Sequence, residues 1–353
     1  MIAGQEHQRA DGMRSKVRRS EGGTLKMRDI ARHAGVSPMT VSRALREPAA
    51  VSEEMRRKVE AAVREFGYVP NRIAGSLSSN RSHVVGLIVP SIRSSLYASM
   101  IQAASDVLRA NGMHLMIADS GHRLEEEEAL VSAFLAQRVC GLLLHNTIHS
   151  KRMRKLVEAS GVPVIETGNL PDDPLDMAVS YSNFEAARAM TLHLARLGYR
   201  KIGFVTLPLR DNDRSEERRR GYFAALAELG RPTDESLVLE AAGGFSEGAD
   251  ALVRLVNAHP DLDAGFFAGE VLAVGALFEC QRRGWAVPGR IAIASFDDVD
   301  LLRHAVPSVT TLRIPRQEIG RRSAELLVRR LQGAPAERLR IDLGFEIVQR
   351  ESS

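Results

Sequence analysis

From Val84 onward the chain repeats one pattern: a short apolar run, then a longer stretch with apolar residues at helical spacing. The runs predict strands at 84–89, 115–118, 141–144, 162–166, 177–180, 201–206, 237–239, 264–268 and 291–295. Between them the spacing predicts helices over 97–111, 125–137, 184–197, 217–229, 245–258 and 271–283. A continuously apolar strand needs cover on both faces, so this rhythm demands parallel sheets flanked by helices. About 270 residues of it are too many for one doubly wound sheet, and two lobes are expected. Ligands of such folds bind outside the carboxyl ends of the strands.

The first 82 residues follow different rules. Residues 1–24 are polar and basic, lack periodicity and contain no apolar core of a secretion signal, so they read as a disordered extension. Residues 25–70 predict three short helices. The first covers 27–34, with Ile30 and Ala34 on one face and Gly35 as its stop. Ser37 caps the second, and Pro38 takes the first helical position, where its missing N–H is harmless. Val41, Ala44 and Leu45 share a face. Ser52 caps the third, Glu53 and Glu54 suit its positive end, and Val59, Ala62, Val63 and Phe66 recur at helical spacing before Gly67. Residues 71–82 form a connector; 71–79 is a candidate small helix with too little apolar surface to stand alone. Up to Ser82 there are 16 Lys+Arg against 9 Asp+Glu, while the remainder carries 32 against 35. A basic head on a slightly acidic body favours a polyanionic partner for the head, because neutralised phosphates release counterions.

Several function classes lose support. No apolar run approaches the roughly 20 residues that span a bilayer, and no membrane association is expected. The two cysteines, Cys140 and Cys280, build neither a disulfide framework nor a zinc site, which fits a reducing, cytoplasmic setting. Phosphate-cradling and dinucleotide glycine motifs are missing, as are the nucleophile elbow and the paired-histidine zinc motif. The histidines offer no metal-spaced pair; His114, His122 and His193 read as surface or core residues. No cofactor and no enzymatic activity are expected.

The head carries D-I-A-x-x-A-G-V-S, T-V-S-R-x-L, V-S-x-x-x-R-x-x-V and G-Y-x-P-N-R-x-A, in that order, between Asp29 and Ala74. Together these motifs resemble the DNA-binding head of the lactose-repressor/galactose-repressor (LacI/GalR) family. The resemblance implies a helix-turn-helix whose second helix enters the major groove. Pro38, Met39 and Arg43 then face base edges. Arg43 suits bidentate pairing with guanine, while Pro38 and Met39 read shape and thymine methyls. Ser37, Thr40, Ser42 and Tyr68 correspond to phosphate contacts that set register. The string Asn71-Arg72-Ile73-Ala74-Gly75-Ser76-Leu77 resembles the family's hinge helix. Asn71 and Ala74 would lie near the minor groove and Leu77 would wedge between base steps.

The likeness continues from Val84 to Leu343. It implies a two-lobed, periplasmic-binding-protein-like α/β body over residues 83–348 that binds an effector and dimerises. The strings Ser182-Asn183-Phe184-Glu185-Ala186-Ala187-Arg188, Phe278-Glu279-Cys280-Gln281-Arg282 and Asp342-Leu343-Gly344-Phe345 resemble the gluconate-utilisation branch of the family. Arg218 and Asp297 match the family's effector-binding arginine and acid. Ser91, Arg93 and Tyr97 follow the first strand; Asn183 and Phe184 lie where the chain crosses between lobes. Glu270 stands beside Gly269 where many relatives carry Asn-Asp. That change and Phe296-Asp297-Asp298 depart from the branch, so gluconate is the first expectation and another sugar acid or a neutral mono- or disaccharide stays open. The implied function is a homodimeric repressor of a carbohydrate-utilisation operon that leaves a pseudopalindromic operator on binding its effector. The sign of the effector is not readable. A transport-type sugar-binding protein shares the two-lobed body but not the head.

Overall fold

The computed structural model describes residues 25–68, 82–93, 95–335 and 339–353. The expected extension at 1–24 and the expected hinge helix, with Asn71, Ala74 and Leu77, lie outside the described residues. Contacts divide the chain at Asn80/Arg81 into a head and a body.

In the head, α1 (Met27–Ala34), α2 (Pro38–Arg46) and α3 (Glu53–Phe66) follow the stop and start signals of the sequence. Gly35 and Gly67 adopt left-handed φ of 66° and 60°, and their N–H groups close the last turns of α1 and α3. Ser37 Oγ accepts the Thr40 N–H at 3.0 Å, and Ser52 caps α3. A small core of Ile30, Ala31, Val41, Ala44, Val59 and Ala62 holds the three helices together. His33 bridges α1 to α3 through Glu65 at 3.1 Å and an edge-on contact with Phe66.

The body contains two six-stranded sheets. The first, in order β11-β5-β4-β3-β1-β2, uses β1 (Val84–Val89), β2 (His114–Asp119), β3 (Gly141–Leu144), β4 (Val164–Glu166), β5 (Met177–Ser180) and β11 (Leu339–Asp342). The second, β12-β10-β9-β8-β6-β7, uses β6 (Ile202–Thr206), β7 (Val238–Glu240), β8 (Ala264–Phe267), β9 (Ala292–Phe296), β10 (Thr310–Arg313) and β12 (Glu346–Val348). Pairing is parallel except between β10 and β12. The helices are α4 (Ala98–Ala110), α5 (Leu124–Ala136), α6 (Lys151–Ser160), α7 (Asn183–Arg196), α8 (Asp213–Glu228), α9 (Phe245–Ala258), α10 (Glu270–Arg283), α11 (Asp300–His304) and α12 (Arg316–Leu331). The chain passes between lobes at 181–183, 314–316 and 343–345, so neither lobe is one continuous segment.

Beyond the predicted elements the body contains several more. The alternation does not end at 295: β10, α12, β11 and β12 follow, and α12 crosses back to pack on α4 in the first lobe. Helix α6 lacks a strong apolar periodicity, being rich in Lys and Arg and burying only Met153 and Val157, although Ser150 caps it and Gly161 stops it. Helix α8 begins at Asp213, four residues before the predicted start, because Asn212 caps it. The packed body runs past 348: Ser352 is fully buried, and its hydroxyl donates to the Ile293 carbonyl at 2.5 Å.

Glycines set the spacing of the helices that carry the site, Gly221 and Gly320 among them. Gly221 lets α8 press against α7, where a methyl would overlap the Phe184 carbonyl oxygen; Gly320 does the same for α12 on Met100 of α4. Both obstructions are backbone, so relief requires the helices to part. Gly221→Ala should lower stability by about 1–3 kcal/mol, read as a reduced urea midpoint with an unchanged slope. An unchanged midpoint would contradict this packing.

Candidate DNA-reading face and effector cleft

In the head, the apolar side of α2 faces the core through Val41 and Ala44, so its opposite side is left to solvent. Pro38, Met39 and Arg43 are exposed there, Met39 at 72%. Solvent exposure of a large apolar side chain on a short helix makes Met39 available for contact with a methyl group or groove wall. Ser37 combines its capping role with a 2.9 Å hydrogen bond to the Thr40 hydroxyl. Thr40 and Ser42 are half-buried beside this face, and Tyr68 packs partly against the core after Gly67.

In the body, a cleft of about 590 Å³ opens at the carboxyl ends of the strands. Ser95, Leu96 and Ser99 line it from the first lobe, Glu270, Val274 and Asp297 from the second, and Arg316 from the second crossing. Beside it lies a buried polar network. Arg218 is 6% exposed and stacks on the Phe296 ring at 3.6 Å. Its Nε donates to Asn183 Oδ1 at 2.8 Å, Nη1 to the Ala268 carbonyl at 2.8 Å and Nη2 to the Tyr181 hydroxyl at 3.3 Å. Asn183 in turn donates to the Gly168 carbonyl at 2.7 Å and to Asn169 at 3.2 Å.

The start of α8 ties the lobes together. Arg214 Nη1 donates to the His145 carbonyl at 2.8 Å and to Asn146 Oδ1 at 2.7 Å. Asp213 accepts from Thr147 and from Asn169, the latter at 3.2 Å. His145 is buried edge-on to Tyr97; burial and then the Arg214 charge hold its pKa well below the usual histidine value, so it is neutral. Burial also raises the Tyr97 phenol, which stays protonated as a donor.

Asp297 has a left-handed φ of 72°, an uncommon state for a non-glycine residue. The Thr311 hydroxyl fixes its carbonyl at 2.9 Å, and its carboxylate meets Arg316 Nε at 2.7 Å. Burial, then Asp297, push the Glu270 carboxyl upward. Of the eight effector positions expected from sequence, Glu270 and Asp297 line the cleft, and Tyr97, Asn183 and Arg218 sit in the network beside it. Ser91 and Arg93 bond to each other at 3.3 Å in an outer turn, and the Phe184 ring lies 5.8 Å from Arg220, away from the cleft lining. Asp213, Arg214, His145, Asn146, Thr147, Asn169 and Arg316 carry no local motif that marks them in the sequence. Asn212, as a cap, was the one local signal that α8 begins early enough to bring Asp213 and Arg214 here.

An exposed reading helix on a three-helix head, joined in one chain to a two-lobed binding body, defines a helix-turn-helix transcription regulator. Residues 26–71 match the bacterial regulatory proteins of the lacI family, and residues 191–353 match the periplasmic binding protein-like domain. The HTH-type transcriptional regulator GntR of Escherichia coli K12 is 35% identical, over 91% of this chain and 96% of its own. A LacI-family transcriptional regulator from Silicibacter pomeroyi superposes with a TM-score of 0.86 at 31% identity, over 93% of this chain and 99% of its own. The regulator CelR in a cellobiose complex gives 0.69 at 30% identity, over 94% and 100%. The chain belongs to the LacI family of DNA-binding transcriptional repressors.

Behind β3, His149 is clamped between Glu127 at 2.7 Å and Glu166 at 3.1 Å, all three side chains nearly or fully buried. Burial works against its charge, but the two glutamates prevail and raise its pKa to about 9. This clamp fixes the loop that carries His145, Asn146 and Thr147. A folded-state pKa above the unfolded value means the stabilisation is complete below about pH 6.5 and is lost as pH rises through about 9. His149→Gln should therefore lower the melting temperature at pH 6.5 and flatten the decline between pH 6.5 and 9.5, an effect on the order of 3 kcal/mol at most. Parallel melting curves for both proteins across that range would rule the clamp out.

Proposed function

We propose that this repressor acts in the cytoplasm as a homodimer on a pseudopalindromic operator of a carbohydrate-utilisation operon, and that a sugar or sugar acid in the cleft releases it. Gluconate is the first candidate effector. The observation that carries the reading is one chain holding both an exposed α2 face, with Pro38, Met39 and Arg43, and a charged interlobe cleft. The likeness to a GntR regulator supports gluconate, whereas the cellobiose complex of a similar protein supports a neutral disaccharide.

In the mechanism we infer, Arg43 reads guanine, Pro38 and Met39 read shape and methyl groups, and Ser37, Thr40, Ser42 and Tyr68 set register on phosphates. Asn71, Ala74 and Leu77 form the hinge, with Leu77 as the wedge. Exposed Met116 and Ile117 on the edge strand β2 and Phe278 on α10 supply apolar surface for pairing. The effector engages Glu270, Asp297 and the Arg218 network from both lobes. Its differential affinity for one lobe arrangement shifts the population away from the DNA-competent state. No catalytic step is involved.

Gel shifts with a pseudopalindromic operator test the head. Arg43→Ala should weaken specific binding about 10- to 100-fold, the worth of a bidentate base contact, and Leu77→Ala should abolish the preference for specific over random DNA. Wild-type affinity in both variants would sink the assignment. Thermal shifts with gluconate, glucose and cellobiose test the effector, since a ligand of the folded state raises the melting temperature by mass action.

A further inference from the structure

Within the cleft, one buried donor has no partner among the described residues. Arg316, 7% exposed, is the first residue of α12 and lines the cleft. Its Nε and Nη2 both reach Asp297 Oδ1, at 2.7 and 2.5 Å, whereas Nη1 is buried without an acceptor. Leaving an N–H of a buried guanidinium unpaired costs free energy that an incoming acceptor recovers.

The surroundings favour an acceptor with negative charge. The first turns of α4, α9, α10 and α12 all contribute residues to the cleft, and none of these helices has a side-chain N-cap. In contrast, Ser150, Ser182 and Asn212 cap α6, α7 and α8. Helix N-termini face the ligand volume in any fold of this topology; here their N–H groups are left uncapped beside an unsatisfied guanidinium. The acids nearby do not oppose an anion strongly. Asp297 is held by Arg316, and Asp298 by Arg313 and Arg350. Glu270 is biased by burial and by Asp297 towards its neutral form, and Asp300 is open to solvent. Arg218, meanwhile, bonds to an amide, a carbonyl and a phenol rather than to a carboxylate.

We propose that Arg316 is the specificity-determining residue of the cleft, its free Nη1 receiving the carboxylate of a sugar acid at the N-terminus of α12. This rests on the effector reading above and narrows it from sugars in general to acids. The carboxylate forms a charge-assisted hydrogen bond with Nη1 while Asp297 holds the rest of the guanidinium in place. A neutral polyol of the same length lacks the charge and leaves most of that interaction unused.

Calorimetry on the full chain, with gluconate and with glucitol, separates the possibilities. Glucitol carries CH₂OH where gluconate carries the carboxylate. Wild type should bind gluconate about 10- to 100-fold more tightly than glucitol. Arg316→Lys keeps a cation beside Asp297 but loses the fork; it should weaken gluconate about 10-fold or more and leave glucitol unchanged. Arg316→Gln should lose the preference altogether. Operator binding without ligand reports that each variant is folded. Equal binding of the two ligands by wild type, or an undiminished gluconate preference in a folded Arg316→Lys, overturns the proposal. Binding of glucose or cellobiose alone also overturns it and leaves the sugar-effector reading standing. No binding by any of the four, with operator binding intact, overturns both.

Discussion

The body turns on one buried cation. Arg218 lies on the face of Phe296 and sends its three nitrogens to Asn183, Ala268 and Tyr181. These partners come from the first crossing between lobes, the start of α7 and the end of β8. A guanidinium taken out of water is tolerated only when its donors are met and its charge is spread. Aromatic stacking and neutral acceptors do this without a carboxylate, so the positive field persists next to the cleft. Gly221, one turn further along α8, is what brings that helix close enough for the arrangement to form.

A second layer of interactions joins the lobes beside the cleft. Asp213 and Arg214 reach across from α8 to the ends of β3 and β4, and His149 fixes the loop they grip. These polar bonds join the lobes alongside apolar packing such as Tyr181 against Phe296. Close-packed apolar cores around these bonds resist deformation.

Much of this was legible in the sequence, for definite reasons. Caps and stops are local: Ser37, Ser52, Gly35 and Gly67 place the head helices through bonds within four residues of themselves. Apolar runs at 84–89, 141–144 and 177–180 read as strands because nothing but a doubly covered sheet accommodates them. The misses have physical causes as well. Helix α6 has a narrow apolar stripe within a basic surface, and α12 hides a crossing that only the sheet order reveals. Arg316 resembled any arginine in a basic helix; nothing nearby in sequence signals that Asp297, 19 residues earlier, would be its partner.

The sequence by itself determined the three-helix head, the class of the body and, through capping and periodicity, which face of α2 is left exposed. Periodicity and capping act over a few residues, so they survive in one dimension. Only the tertiary structure decided which charged groups share the cleft. Asp297 and Arg316 meet in the cleft, and Asp213 and Arg214 close beside it, because two sheets joined by three crossings bring distant helix N-termini together. Burial then assigns each charge a partner, or leaves it without one, and that outcome depends on the whole packed body.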